Sequence, residues 1–150
     1  MPSEEPLVLS QVRSPQDSTP IAAELRLTAE ERTRTRHRFV TDTGRVVYLR
    51  LVRGTVLQHG DRLLDDTGTM AVRVAAKPEP VFTVTAKTPL DLLRIAYHLG
   101  NRHVHIEIAC EYLRLSPDPV LKTLLEGFNA EVREEVVPFQ PERGAYNHHR

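Results

Sequence analysis

The sequence has no tryptophan, a single cysteine, and only four phenylalanines and four tyrosines among 150 residues. The lone thiol, Cys110, cannot close an internal disulfide, so the fold must rest on packing, and an unpaired thiol points to a reducing compartment. No stretch reaches the roughly 18 uninterrupted apolar residues that a membrane helix requires. The opening Met-Pro-Ser-Glu-Glu-Pro is acidic and lacks the basic and apolar segments of a secretory leader. These absences predict a cytoplasmic protein with no membrane partner. Twenty Lys and Arg balance twenty Asp and Glu, and the resulting zero net charge removes the usual drive toward nucleic acid, so no nucleic-acid partner is expected. Catalytic signatures are missing too: there is no Gly-x-x-x-x-Gly-Lys-Ser/Thr loop, no Gly-x-Ser-x-Gly elbow and no His-Glu-x-x-His helix. Cys110 follows Ile108 and Ala109, a setting that predicts a small buried residue and not a nucleophile. No enzyme is expected.

What is present reads as two modules. Residues 1–20 hold four prolines among polar residues and are expected to be loosely ordered, with at most one short strand at Leu7-Val8-Leu9. Thr33–Thr41 and Arg45–Leu51 flank Asp42-Thr43-Gly44, and Leu57–Leu64 and Met70–Ala76 flank Asp65-Asp66-Thr67-Gly68, which predicts two hairpins with glycine at positive φ. Lys77-Pro78-Glu79-Pro80 interrupts the pattern, placing a boundary between an N-terminal β domain at 1–78 and a second domain at 79–140, with a flexible tail at 141–150. In the second domain Val81–Thr85 predicts a strand, and Thr88-Pro89 opens a helix with Leu92, Leu93, Ala96 and Leu99 inward and Gly100 as its stop. Val104–Ile108 and Tyr112–Leu115 predict strands. Asp118-Pro119 opens a second helix with Val120, Leu121, Leu124, Leu125 and Phe128 inward, and Ala130–Val137 predicts a last strand. The fold class is α+β, an all-β domain followed by a ferredoxin-like βαββαβ domain.

Seven histidines stand out against the few aromatics. Along a strand at 104–108, alternation would set Val104, Ile106 and Ile108 on the covered face and His103, His105 and Glu107 on the open one, about 6.6 Å per two-residue step. Two imidazoles supply too few ligands for a stable ion, and a twofold axis would double them. Imidazole suits Zn, Cu, Fe and Ni, while the missing second cysteine argues against a thiolate site. The pattern equally admits a bland reading, in which His103 closes the turn after Gly100-Asn101 and His105 is an ordinary strand residue. His148 and His149 form a short metal-collecting tract near the C-terminus. His98 is expected to face solvent, His37 to sit half-buried beside Phe39, and His59 to occupy a turn. Arg32, Arg34, Arg36 and Arg38 recur at every second position, predicting a basic strand face. Such a face gives an alternative function, a metal-independent adaptor for protein or RNA, or simply discourages edge pairing.

With these residues in view, the chain resembles the UreE family of urease accessory proteins from about Leu27 onward. The resemblance rests on Gly100-Asn101-Arg102-His103, Tyr112-Leu113-Arg114, Asp118-Pro119-Val120-Leu121, Ala130-Glu131-Val132, Pro138-Phe139, Pro141-Glu142 and Gly144-Ala145-Tyr146, in that order. Arg53-Gly54, the Gly60-Asp61 turn and Leu63 to Gly68 resemble the family's β domain. It implies a nickel metallochaperone: an N-terminal domain that engages partner proteins and a C-terminal domain that dimerises. It also implies Ni(II) bound by His103 of both protomers, with His148 or His149 completing the shell. The cargo would pass to a urease accessory GTPase and then to the urease apoprotein, with Zn(II) or Cu(II) as in vitro substitutes. Two departures stand out. The long histidine-rich tail of many members is reduced to His148 and His149, and the His-x-His pair that some carry before the second helix is replaced by Pro117 and Pro119. A ligand role for His105 follows from strand alternation and not from the family motif.

Overall fold

Alternation at period two sets the strands of the first half. The computed structural model describes residues 5–143, and the chain divides into two units, Met1–Lys77 and Pro78–Arg150. The first unit holds β1 (Leu7–Leu9), β2 (Gln11–Arg13), β3 (Ile21–Leu27), β4 (Arg36–Val40), β5 (Val46–Arg50), β6 (Arg62–Leu64) and β7 (Ala71–Ala76), with a 3-10 turn at Glu31–Thr33. These form a three-stranded sheet, β1-β5-β4, and a four-stranded sheet, β2-β6-β7-β3. Both sheets feed one core: Leu9, Phe39, Val47 and Leu49 from the first, and Leu25, Leu27, Leu63, Val72 and Val74 from the second. Each such side chain contributes about 1.5–3 kcal/mol on leaving water.

Both expected hairpins form, turning at Gly44 (φ +86°) and Gly68 (φ +66°), a region open to glycine at little cost. In the second turn the Asp65 carboxylate accepts bonds from the Thr67 hydroxyl at 2.6 Å and from the Thr67 and Gly68 amides at 3.1 Å. The hydroxyl bond is the main reason the Asp65 carboxyl lies below its ordinary range. Three differences from the expectation stand out. A second strand, β2, lies in the lead-in, paired with β6. Ile21–Leu27, unassigned on sequence, forms β3 parallel to β7. Leu57–His59 does not join β6, because Gln58 and Asp61 close a turn, with the Gln58 amide donating to Asp61 Oδ2 at 2.8 Å and the Asp61 amide to the Gln58 carbonyl at 3.1 Å.

The second unit runs β8 (Pro78–Thr85), α1 (Pro89–Asn101), β9 (Glu107–Ile108), β10 (Leu113–Leu115), α2 (Pro119–Gly127) and β11 (Glu131–Pro138). Its antiparallel sheet has the order β11-β8-β10-β9, which is the 4-1-3-2 arrangement of a ferredoxin-like fold. Both helices start as their sequences dictate. Thr88 Oγ1 accepts from the Asp91 amide at 3.1 Å, and Asp118 Oδ1 accepts from the Val120 and Leu121 amides at 2.8 and 3.1 Å, each cap being followed by a proline at the first helical position. The helices pack Leu92, Ile95, Leu99 and Leu125 onto Phe82, Val84, Leu113 and Leu115. Two inward assignments are corrected: Leu93 and Val120 are 67% and 69% exposed. In α1 the inner stripe is Leu92, Ile95 and Leu99, and Leu93 lies some 100° further round the helix. Among the described residues no helix is long and apolar enough to cross a membrane.

Candidate metal centre

Helix α1 runs past its expected stop at Gly100 and ends in three backbone bonds. The Arg102 amide donates to the Leu99 carbonyl at 3.1 Å, His103 to Gly100 at 3.0 Å and Val104 to Leu99 at 3.1 Å. The last two are the bonds of a Schellman motif, with His103 at the position glycine most often fills. His103 accordingly has φ +59°, a left-handed conformation costing a residue with a Cβ about 1–2 kcal/mol. Helix α2 ends identically, with Phe128, Asn129 and Ala130 in place of Arg102, His103 and Val104, and there the left-handed residue is Asn129 at φ +58°. Asparagine and histidine both enter this region more often than other residues with a Cβ, yet glycine holds it at the least cost. The exposed His103 thus stands at the C-terminal end of the helix, where the helix dipole favours a cation.

Helix α1, which this histidine follows, also exposes an apolar stripe. Leu90, Leu93 and Tyr97 are 54%, 67% and 65% exposed and lie opposite the stripe packed in the core. A soluble helix normally shows polar residues there.

The strand expected at 104–108 is reduced to Glu107–Ile108, and Ile108 is half exposed. His103 lies on the helix terminus instead of the strand, so alternation does not join it to His105, although His105 is exposed and Ile106 is buried as expected. Glu107 is already engaged. Its Oε2 lies 3.5 Å from Arg114 Nη1, and its Oε1 accepts from the Gln140 amide at 2.8 Å. Arg114 also donates to Thr83 Oγ1 at 3.1 Å, approaches Glu135 at 3.9 Å and lies 4.4 Å over the Tyr112 ring. The Glu142 amide donates to the Ile106 carbonyl at 2.7 Å. Since β11 and β9 are opposite edges of the sheet, residues 139–142 form a strap from one edge to the other and bring the chain back beside residues 105–107. Sequence alone gave no sign of this strap. Among the described residues no three or more His, Cys, Asp or Glu side chains gather as a metal site, and His148 and His149 lie outside the described residues.

Comparison with known proteins now decides the family. Residues 8–76 match the model for the UreE urease accessory protein N-terminal domain, and residues 79–150 match that for the C-terminal domain. The chain belongs to the UreE family. It is 58% identical over 143 residues to the urease accessory protein UreE of Nostoc sp., covering 95% of this chain and 97% of that one. The UreE of Nostoc punctiforme is 55% identical over the same span and coverage, and that of Thermosynechococcus vestitus is 58% identical over 125 residues, 83% of this chain and 87% of its own. The UreE family is one of accessory chaperones and not of enzymes.

Elsewhere in this member of the UreE family the remaining candidates fall into structural roles. His98 is exposed and stacks on Phe128 at 4.9 Å, His37 is half-buried against Phe39 at 4.6 Å, and the turn residue His59 accepts from the Ala76 amide at Nδ1, 3.0 Å away. Cys110, expected to be buried, is an exposed free thiol because β9 is too short to carry it into the sheet. The four-arginine stripe is also corrected. Arg32 sits in the 3-10 turn, 4% exposed, with Nη1 donating to the Leu27 carbonyl at 2.8 Å, and Arg34 pairs with Glu30 at 2.8 Å. Only Arg36 and Arg38 lie on β4.

Proposed function

We propose that the chain is a nickel metallochaperone for urease maturation, working as a cytoplasmic homodimer that holds Ni(II) between two copies of His103. The observation that carries this reading is the strained, exposed His103 at the end of a helix that exposes an apolar stripe beside its charged residues. A second copy laid against Leu90, Leu93 and Tyr97 would shield them and, with the axis near the helix end, bring the two imidazoles together. His148 or His149 adds a ligand from the tail, which the strap at 139–142 roots near the same edge, and His105 is an optional donor. Ligand exchange is the mechanism. Few protein ligands at an open interface retain the cargo ion while leaving positions where a recipient's donors can enter. The recipients are the urease accessory GTPase and, through it, the urease apoprotein, with the first unit engaging the partner proteins. Zn(II) and Cu(II) would occupy the same nitrogen donors in vitro.

Native mass spectrometry with added nickel tests the proposal, because it counts chains and ions together. A metal-loaded dimer that loses its ion on His103→Ala supports it. A monomer, or equal nickel binding by wild type and variant, overturns it, and little binding by either leaves the metal-independent adaptor.

A further inference from the structure

β4 is an edge strand in the order β1-β5-β4. The Thr41 amide donates to the Arg45 carbonyl at 2.9 Å and the Leu51 amide to the Thr35 carbonyl at 2.9 Å. These bonds, with the register Arg36↔Arg50 to Val40↔Val46, fix the bonded pairs at the odd positions of β4. The amides and carbonyls of Arg36, Arg38 and Val40 therefore point away from β5, toward the open edge. Their side chains stand on the outer face of the sheet, where the neighbouring strands contribute Tyr48, Arg50 and Val8. All six are exposed. No strand position on this face carries a carboxylate. The next even-numbered residue past β4 is Asp42, whose carboxylate accepts from the Glu24 amide at 2.8 Å. Among the described residues Arg36, Arg38 and Arg50 have no ion pair. Arg34, Arg73 and Arg114, in contrast, each have a carboxylate partner.

We propose that the open edge of β4 receives an extended acidic segment of a partner protein as an added strand, with carboxylates at alternate positions against Arg36 and Arg38. The two halves of the geometry select the same ligand. Unpaired backbone groups ask for a strand, and the period-two spacing of the guanidiniums matches the period of side chains on its near face. Guanidinium forks hold carboxylates in bidentate pairs. A single aromatic, Tyr48, stands among the arginines, too few to stack successive bases, so a protein segment is favoured over RNA. The inference deepens the reading of the first unit as a partner-binding module and does not involve the metal ligands.

Fluorescence anisotropy of the full-length protein with a short labelled peptide of alternating glutamate and threonine tests it. The companion probes are an alternating lysine and threonine peptide and a single-stranded RNA of similar charge to the acidic peptide. Binding of the acidic peptide that weakens with salt, and by at least about tenfold in Arg36→Glu/Arg38→Glu, supports the proposal. Val40→Pro is the second variant. It removes an amide aimed at the open edge and leaves the β4–β5 ladder its bonded pairs, so an equal loss there with an unchanged far-ultraviolet spectrum shows that the edge is used. Peptide binding indifferent to charge or to these substitutions overturns the inference and leaves the partner-binding reading standing. Preference for RNA, self-association through the edge, or no peptide binding also overturns it, and the last counts against the partner-binding reading as well.

Discussion

Replacing His103 by glycine should make the apoprotein more stable and less able to bind nickel. The imidazole is exposed, so its removal forfeits no core packing, while its left-handed backbone at φ +59° costs about 1–2 kcal/mol in a residue with a Cβ. Glycine escapes that cost but loses about 0.5–1 kcal/mol through its freer unfolded chain. The difference is a gain of roughly 0–1.5 kcal/mol, equivalent to about 3–6 °C in Tm at the upper end for a chain of this size. Urea denaturation and thermal melts, run on chelator-treated protein at one fixed concentration, would measure it. His103→Asn should be close to neutral, since α2 already ends with Asn129 in this conformation. Nickel affinity should fall in both variants. If His103→Gly lowers stability, the idea that strain is retained at this position for its ligand is wrong.

Further outcomes follow from the same geometry. A metallated imidazole must be deprotonated, so nickel affinity measured by calorimetry should be lower at about pH 5.5 than at about pH 8, and equal values would count against histidine ligation. Leu93→Asp places a charge in the exposed apolar stripe of α1; sedimentation should show a dimer weakened by at least about tenfold with an intact monomer fold, and an unchanged dimer would put the interface elsewhere. Glu107→Ala leaves the Gln140 amide and part of Arg114 without a partner, and should destabilise by about 1–3 kcal/mol in denaturant titration. Cys110 should react with a thiol reagent without denaturant, and its substitution should leave nickel binding unchanged.

Topology was the most legible feature of the sequence. Thr88-Pro89 and Asp118-Pro119 mark both helix starts through chemistry confined to a few residues, and turn glycines mark both hairpins. Features set by distant partners were harder to read. β3 carries Glu24 and Arg26 outward and finds its partner, β7, almost 50 residues away. Glu107 looked like a free carboxylate because its partners, Arg114 and Gln140, become neighbours only when the sheet closes. The exposed stripe on α1 could have been recognised: Leu90, Leu93 and Tyr97 form a second apolar face at a different helical phase from Leu92, Ile95 and Leu99. The termination of α1 at His103 was obscured by Gly100 and Asn101, which satisfy a simple stop rule one turn early.

The closure of residues 139–142 across the sheet has a bearing on how members of this family can diverge. The chain at Gln140 and Glu142 is anchored to the far edge by Glu107 and Ile106. That anchorage uses backbone groups and one carboxylate, and no histidine takes part in it. On the proposed nickel-carrier reading, the number of tail ligands is thereby separable from the architecture that presents them.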